Sequence, residues 1–180
     1  MGTTNWTLVR AGLLAGLVAG TVDIGVAGVI YQLSLGVILR SIASGLIGAA
    51  AFEGGAAAVL LGLLLQWAMS VLIAMIYVAA TAPLPDMRRR WPLSGVIAGV
   101  ATYVVMSYLV VPLSAAPFRP SLTLEGLFKG FTIHKFVLDL SAMILFGLII
   151  AFIVRDAQSG ITSEESRRTL RDGPPERNGP

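Results

Sequence analysis

The sequence predicts an all-α integral membrane protein, a bundle of four transmembrane helices with one further helix in an interfacial or re-entrant position. Four apolar stretches carry this prediction, at residues 8–31, 56–80, 92–113 and 131–154. Each stretch has at least the roughly 20 residues that a helix needs to cross a hydrocarbon core about 30 Å thick. Charged residues make up only 13% of the chain, which is about half of what a soluble domain usually carries.

The basic residues indicate how the four spans are oriented. They lie at the start of the first span, in the loop between the second and third spans, and after the fourth span: Arg10, Arg88, Arg89, Arg90, Arg155, Arg167, Arg168, Arg171 and Arg177. Because cytoplasmic loops collect Lys and Arg, the N- and C-termini are both predicted to be cytoplasmic. The outer side then carries only Arg40, Arg119, Lys129 and Lys135. We interpret the net charge of +3 as this topology signal, so no nucleic-acid partner is expected.

The first and third spans carry glycines at a spacing of four residues. Gly12, Gly16 and Gly20 share one face of the first predicted helix, and Gly95 and Gly99 share one face of the third. Small residues let two helix backbones approach closely in lipid, where helices gain little from hydrophobic burial. We therefore expect these five glycines to lie in contacts between helices.

The segment 34–52 leaves two alternatives open. It is apolar enough to be a fifth span, but Arg40 would then lie deep within it. Its large aliphatic residues share one helical face, and serines and glycines, among them Ser34, Ser41 and Ser44, share the other. This pattern is typical of a helix that lies in the membrane interface. We favour an interfacial or re-entrant helix on the outer side over a true span.

The chain divides into a transmembrane domain at residues 1–155 and a cytoplasmic tail at 156–180. The tail is rich in Ser, Glu, Arg, Pro and Gly and is predicted to be mostly disordered, with at most a partial helix near residues 163–170. Within the domain, residues 15–20 resemble 94–99, and 62–66 resemble 130–134. This similarity suggests a two-span repeat, 8–80 and 92–154, although membrane sequences of low complexity also produce such matches by chance.

Polar side chains inside the spans are the candidate functional residues. A charge in the middle of a membrane is costly, so such a side chain usually faces the bundle interior or a water-filled cavity. Asp23, Gln66 and Asp139 lie at similar depths in three spans, with Ser70 and Lys135 one helical turn from two of them. We predict that they form a polar layer in the outer half of the membrane. The layer is either a protonatable or substrate-binding site or a structural hydrogen-bond network.

Little else in the sequence points to chemistry. Lys135 and Asp139 are four residues apart and can neutralise each other. His134 is the single histidine and lies near the outer interface, where it can titrate, but ideal helix geometry points it away from Asp139. The chain also has no cysteine. No metal site, cofactor or catalytic constellation is therefore expected, and the chain is not predicted to be an enzyme.

A family resemblance is carried by the second half of the chain. Its features, in order, are the glycine-rich run 95–99, the segment 111–117 with its two prolines, Glu125, His134 at the start of the last span, and Arg155-Asp156 at its end. This order resembles that of the YagU-type family of small bacterial inner-membrane proteins. The resemblance is best over residues 75–162 and departs at Gln66, where that family has a histidine. It implies four spans in a bacterial inner membrane and no assigned enzymatic activity.

Two classes of function fit these features. The first, which we favour from the sequence, is a non-enzymatic accessory or structural subunit that packs into a homo-oligomer or a larger membrane complex. Its support is the set of glycine faces. The second is a small transporter or channel for protons or a small solute, which would use the polar layer. In both cases the lipid bilayer is the direct partner of the chain.

Overall fold

All the elements that the structure describes are helices. The computed structural model describes residues 2–117, 120 and 132–172 of the 180-residue chain. The helices are α1 (Gly2–Tyr31), α2 (Leu35–Ile47), α3 (Gly55–Thr81), α4 (Pro85–Arg89), α5 (Trp91–Leu113) and α6 (Ile133–Asp172). Five helical stretches are long and apolar enough to cross a membrane: Trp6–Tyr31, Leu35–Phe52, Gly55–Thr81, Trp91–Leu113 and Ile133–Arg155. The predicted all-helical class is therefore confirmed for the described residues. The predicted outer loop with Arg119, Glu125 and Lys129 lies outside them, as does residue 131.

The four long helices pack side by side in the order α3, α1, α6, α5, each antiparallel to its neighbour. At one end of the bundle, here called the arginine end, lie Arg10, Arg89, Arg90 and Arg155. At the opposite end, the tyrosine end, lie Tyr31 and Lys135. The half of the bundle next to the arginine end has a close-packed core of small and aliphatic residues together with two aromatic rings: Ala15, Ala19, Ala74, Tyr77, Val78, Phe146, Ile150, Ala151 and Val154.

Glycines set the close approach of the helices. A Cβ atom added to Gly16 would lie 2.5 Å from the Cα atom of Val71 on α3, a distance that no side chain tolerates. At the α5–α6 contact, a Cβ atom on Gly99 would lie 2.4 Å from the carbonyl oxygen of Met143. In both contacts the two helix backbones touch directly. Helix α1 therefore lies against α3, and α5 against α6, with almost no side chain between them.

A tight turn connects α1 to α2. Gln32 follows the last residue of α1 with a left-handed backbone, φ +52°, and the N–H of Leu33 donates to the carbonyl of Gly28. This is the Schellman arrangement, which satisfies carbonyls at the end of a helix. Ser34 then caps α2, since its hydroxyl accepts a hydrogen bond from the N–H of Val37. The chain therefore reverses within three residues and lays α2 against the end of the bundle that it has just reached.

The first and last turns of α2 both contact the tyrosine end of the bundle. Near its start, Leu35 and Ile38 pack against Gly28 of α1. In its middle, the carbonyl of Leu39 lies directly over Gly62 of α3. Near its end, the carbonyl of Gly45 accepts a hydrogen bond of 2.9 Å from the N–H of Ala115, which follows α5. Helix α2 thus bridges α3 and the tyrosine end of α5.

A short 3-10 helix, Gly48–Phe52, joins α2 to α3. Gly48, its first residue, and Gly55, the first residue of α3, have φ angles of +65° and +55°. Only glycine adopts such angles without a steric penalty. These two positions therefore set the change of direction between α2 and α3.

The tail differs from its prediction. Helix α6 continues without a break from Ile133 to Asp172, where the sequence predicted a mostly disordered segment from residue 156. No proline occurs between these residues, and adding residues to a formed helix is easy compared with starting one. Gly173, Pro174 and Pro175 follow, which is a typical stop signal. Residues 173–180 lie outside the described part of the chain.

The suggested repeat implies a contact that the fold does not contain. A two-fold axis relating 8–80 to 92–154 would pair α3 with α5 as closely as it pairs α1 with α6. Helices α1 and α6 pack along much of their length, but α3 and α5 hardly touch. The duplication of sequence stays a hypothesis, and the described helices do not pack with that symmetry.

Candidate functional site

A large cavity lies between helices α3 and α5 in the half of the bundle next to the tyrosine end. Near the arginine end these two helices are joined by a hydrogen bond of 2.7 Å between the hydroxyls of Tyr77 and Ser94. Towards the tyrosine end they separate, and α2 crosses the gap between them. The resulting cavity has a volume of about 1160 Å³ and is lined by residues from α1, α2, α3, α5 and α6.

The deepest polar pair in this cavity is Asp23 with Gln66. The side-chain amide of Gln66 on α3 donates a hydrogen bond of 2.8 Å to Oδ2 of Asp23 on α1. Both side chains line the cavity and both are partly buried. The next residue of α3, Trp67, also contacts α1, since its indole N–H donates a hydrogen bond of 3.1 Å to the hydroxyl of Thr21. Polar contacts therefore hold α1 to α3 at this depth.

A second polar cluster lies nearer the tyrosine end. The hydroxyl of Tyr31 donates to Asp139 on α6, and the ammonium of Lys135 donates to the same hydroxyl at 3.1 Å. Lys135 also forms an ion pair with Asp139, four residues along the same helix. This three-residue network ties the last residue of α1 to α6. All three side chains line the cavity, and 57% of the Lys135 side chain is exposed.

The predicted single polar layer is thus two clusters at different depths. Asp23 lies beside Ala142 and Phe146 of α6, so Asp139 is about one turn or more closer to the tyrosine end. The prediction counted depth from the ends of the spans and assumed that these ends align. They do not, because α6 begins beyond the last turn of α1. Asp139 therefore meets Tyr31 and not Asp23.

The other predicted residues lie outside the cavity lining. Ser70 is buried, 2% exposed, beneath Gly20, where an added Cβ atom would lie 2.5 Å from its hydroxyl. His134 is exposed at the start of α6. Among the described residues, no group of three acidic, histidine or cysteine side chains is placed to hold a metal ion.

The five predicted packing glycines all lie in contacts within this chain. Gly12, Gly16 and Gly20 face Met75, Val71 and Ser70 of α3. Gly95 and Gly99 face Leu148 and Ile144 of α6, together with a glycine that the sequence reading missed, Gly147. A lone glycine in an otherwise aliphatic span was the available signal for Gly147.

Helix α5 supplies cavity residues that the sequence reading also missed. Over Met106–Val110 the helix widens to a π-helical turn, in which the N–H of Val111 donates to the carbonyl of Met106 five residues earlier. Pro112 has no N–H to donate to Tyr108, so the regular pattern cannot continue there. Ser107 and Tyr108 of this turn line the cavity. Pro112 inside an apolar span was the signal, since π turns occur often at functional sites.

Comparison with known proteins gives this chain no relative. No family model, no curated protein and no solved structure matches it. Its function therefore has to be argued from the cavity itself.

Proposed function

We propose that this protein is a non-enzymatic, multi-pass protein of the bacterial inner membrane that binds a small solute in its cavity and carries it across the membrane. The proposal rests on the cavity of about 1160 Å³, which has polar groups at two depths. Ligand sites are usually cavities of about 300–1,000 Å³ with mostly apolar walls and a few convergent polar groups. A purely structural bundle has no need for such a space.

The two halves of the bundle differ in the way that a carrier requires. The half next to the tyrosine end contains the cavity, and the half next to the arginine end is close-packed. The hydroxyls of Tyr77 and Ser94 join α3 to α5 by a hydrogen bond at the closed end. In a carrier of this kind, one end of the bundle opens while the other closes, so that the binding site is exposed to each side of the membrane in turn. The described arrangement corresponds to the state that receives solute at the tyrosine end.

The proposed topology has four spans, with α2 on the outer face of the membrane. Both ends of α2 contact the tyrosine end of the bundle, next to Gly28 and Ala115, whereas a span would reach the opposite end. Arg40 on α2 supports this, because an arginine is costly inside a span. Both termini and the arginine end then face the cytoplasm.

A blocked cavity tests the proposed function. Ala27 lines the cavity, and Val29 on the same helix is 71% exposed. In proteoliposomes, uptake of radiolabelled solutes is measured directly after adding mixtures of amines, amino acids or sugars, and uptake by protein-free liposomes is subtracted. One mixture should give a signal with the wild type and with Val29→Trp, and no signal with Ala27→Trp. Equal signals from the two tryptophan variants, or no signal from the wild type with any mixture, would refute the transport proposal.

The accessory-subunit function favoured from the sequence keeps one supporting observation. Beyond Arg155, α6 continues through residues 156–172, which is about 25 Å of helix at 1.5 Å per residue. A partner or a second copy of the chain could bind along this extension. The glycine faces give less support, because they are occupied within the chain. Co-purification of the full chain and of a chain ending at residue 158 from mild detergent tests this function, since a stable partner should be lost with the extension.

A further inference from the structure

Of the carboxylates that line the cavity, one is neutralised by a neighbouring basic side chain and the other is not. Two carboxylates, Asp23 and Asp139, and one ammonium, Lys135, face this space. Asp139 is already satisfied by Lys135 and by the hydroxyl of Tyr31. Those three groups form a closed network, and its charges cancel.

Asp23 has no such compensation. Among the described residues, no basic side chain pairs with it, and its one hydrogen bond comes from the neutral amide of Gln66. A carboxylate that faces a cavity with mostly apolar walls favours a positive charge close to it. From this geometry, and resting on the proposed function above, we infer that the solute is a monovalent organic cation whose charged centre binds beside Asp23.

The walls of the cavity fit the rest of such a cation. Besides Tyr31, whose ring already lies next to the Lys135 ammonium, three aromatic side chains line it: Tyr103, Tyr108 and Phe136. Tyr103 packs edge-on against Phe136, with ring centroids 5.5 Å apart, and against Tyr108 at 6.4 Å. Such rings pack well against the aromatic or aliphatic substituents of an organic cation. Aliphatic and methionine side chains, Met69 among them, supply an adaptable surface for apolar substituents.

The depth of the cavity sets the size of the cation. Asp23 and Tyr31 are eight residues apart on α1, which is about 12 Å along the helix axis. A compact inorganic cation would leave most of this space empty. An ammonium or phosphonium with several aromatic or aliphatic substituents fills it, while its charge lies at the level of Asp23.

Binding of a model cation tests the inference. The probe is tetraphenylphosphonium, and the neutral comparison is triphenylphosphine oxide, both measured by equilibrium dialysis against the protein in nanodiscs with empty nanodiscs subtracted. The wild type should bind the cation. Asp23→Asn should weaken that binding at least tenfold, because it removes the charge and keeps an acceptor for Gln66. Asp86→Asn, which changes an exposed carboxylate on the short helix α4 at the arginine end, should leave binding unchanged.

A second pair of variants keeps the test independent of the folding of Asp23→Asn. Ser41 of α2 lines the cavity, so Ser41→Lys adds a positive charge there, and Ser41→Gln adds a neutral chain of similar reach. The lysine variant should bind the cation more weakly than the glutamine variant does.

Equal binding in this pair, or equal binding by the wild type and a folded Asp23→Asn, would overturn the inference. Failure of the wild type to bind the cation while it binds the neutral probe would also overturn it, and would leave the solute cavity standing. If neither probe binds and the blocked-cavity experiment is negative, both proposals fail.

Discussion

At the level of single residues, the bond between Asp23 and Gln66 should be the most sensitive to substitution. Gln66→Leu removes the amide that donates to Asp23 and leaves a partly buried carboxyl group without a donor. We expect the free energy of unfolding to fall by about 1–3 kcal/mol, measured by denaturant titration in mild detergent. Asp23→Asn should cost less, because the asparagine oxygen still accepts from Gln66.

A double-mutant cycle checks that this effect belongs to the pair. Asp23→Leu combined with Gln66→Leu removes both polar partners, so no unsatisfied group remains. The loss in the double variant should therefore be smaller than the sum of the two single losses. Additive losses would contradict a direct interaction between the two side chains.

The network at the tyrosine end should tolerate loss of the Tyr31 hydroxyl. Tyr31→Phe keeps the ring under the Lys135 ammonium, 5.3 Å from the ring centroid, and keeps the ion pair with Asp139. The expected loss is only about 0.5–1.5 kcal/mol, because both hydrogen bonds of the hydroxyl, to Asp139 and from Lys135, are exposed and the remaining ion pair still satisfies these two residues. Asp139→Leu removes the acceptor for both Lys135 and Tyr31 and should lose more in the same denaturation assay. The opposite order would show that the hydroxyl, and not the carboxylate, organises the cluster.

At the level of the helices, the α1–α3 contact depends on backbone proximity. Gly16→Ala would bring a Cβ atom to 2.5 Å from the backbone of Val71, so the two helices must move apart. We expect a loss of about 1–3 kcal/mol, which is typical of overpacking. Gly25 on the same helix has no atom within 4 Å of such a Cβ. Gly25→Ala should be neutral or slightly stabilising, because alanine is the better helix former.

The measurement for this pair is thermal unfolding in detergent, with both variants compared with the wild type. A drop in melting temperature confined to Gly16→Ala supports the close contact. Similar melting temperatures of the two variants would mean that the backbones of α1 and α3 are far enough apart to accommodate a Cβ atom at residue 16.

At the level of the whole molecule, the four-span topology predicts which segments a reagent outside the cell can reach. The chain has no cysteine, so single-cysteine variants at Ser121 and Ser163 report without background. An impermeant maleimide added to intact cells should label Ser121→Cys and not Ser163→Cys. If α2 were a fifth span and the N-terminus were cytoplasmic, both results would be reversed.

Much of this molecule follows from local sequence. Span length and hydropathy depend only on neighbouring residues, so the helices and their approximate limits were predictable. The four-residue glycine spacing likewise predicts which face of α1 approaches another helix, and Gly16 lies against Val71. Helix α6 extends to Asp172, beyond the partial helix expected near residues 163–170, because the prediction gave composition more weight than the absence of a helix-breaking proline.

The relative heights of the helices and the space between them were decided only by tertiary packing. Local sequence cannot tell how far one helix slides along another, so Asp139 was placed level with Asp23 and in fact meets Tyr31. The cavity has no local signature either. It exists because α3 and α5 join near Tyr77 and separate towards the tyrosine end. The sequence alone determined a bundle of apolar helices with a few buried polar groups, and the packing decided which of those groups face a shared cavity.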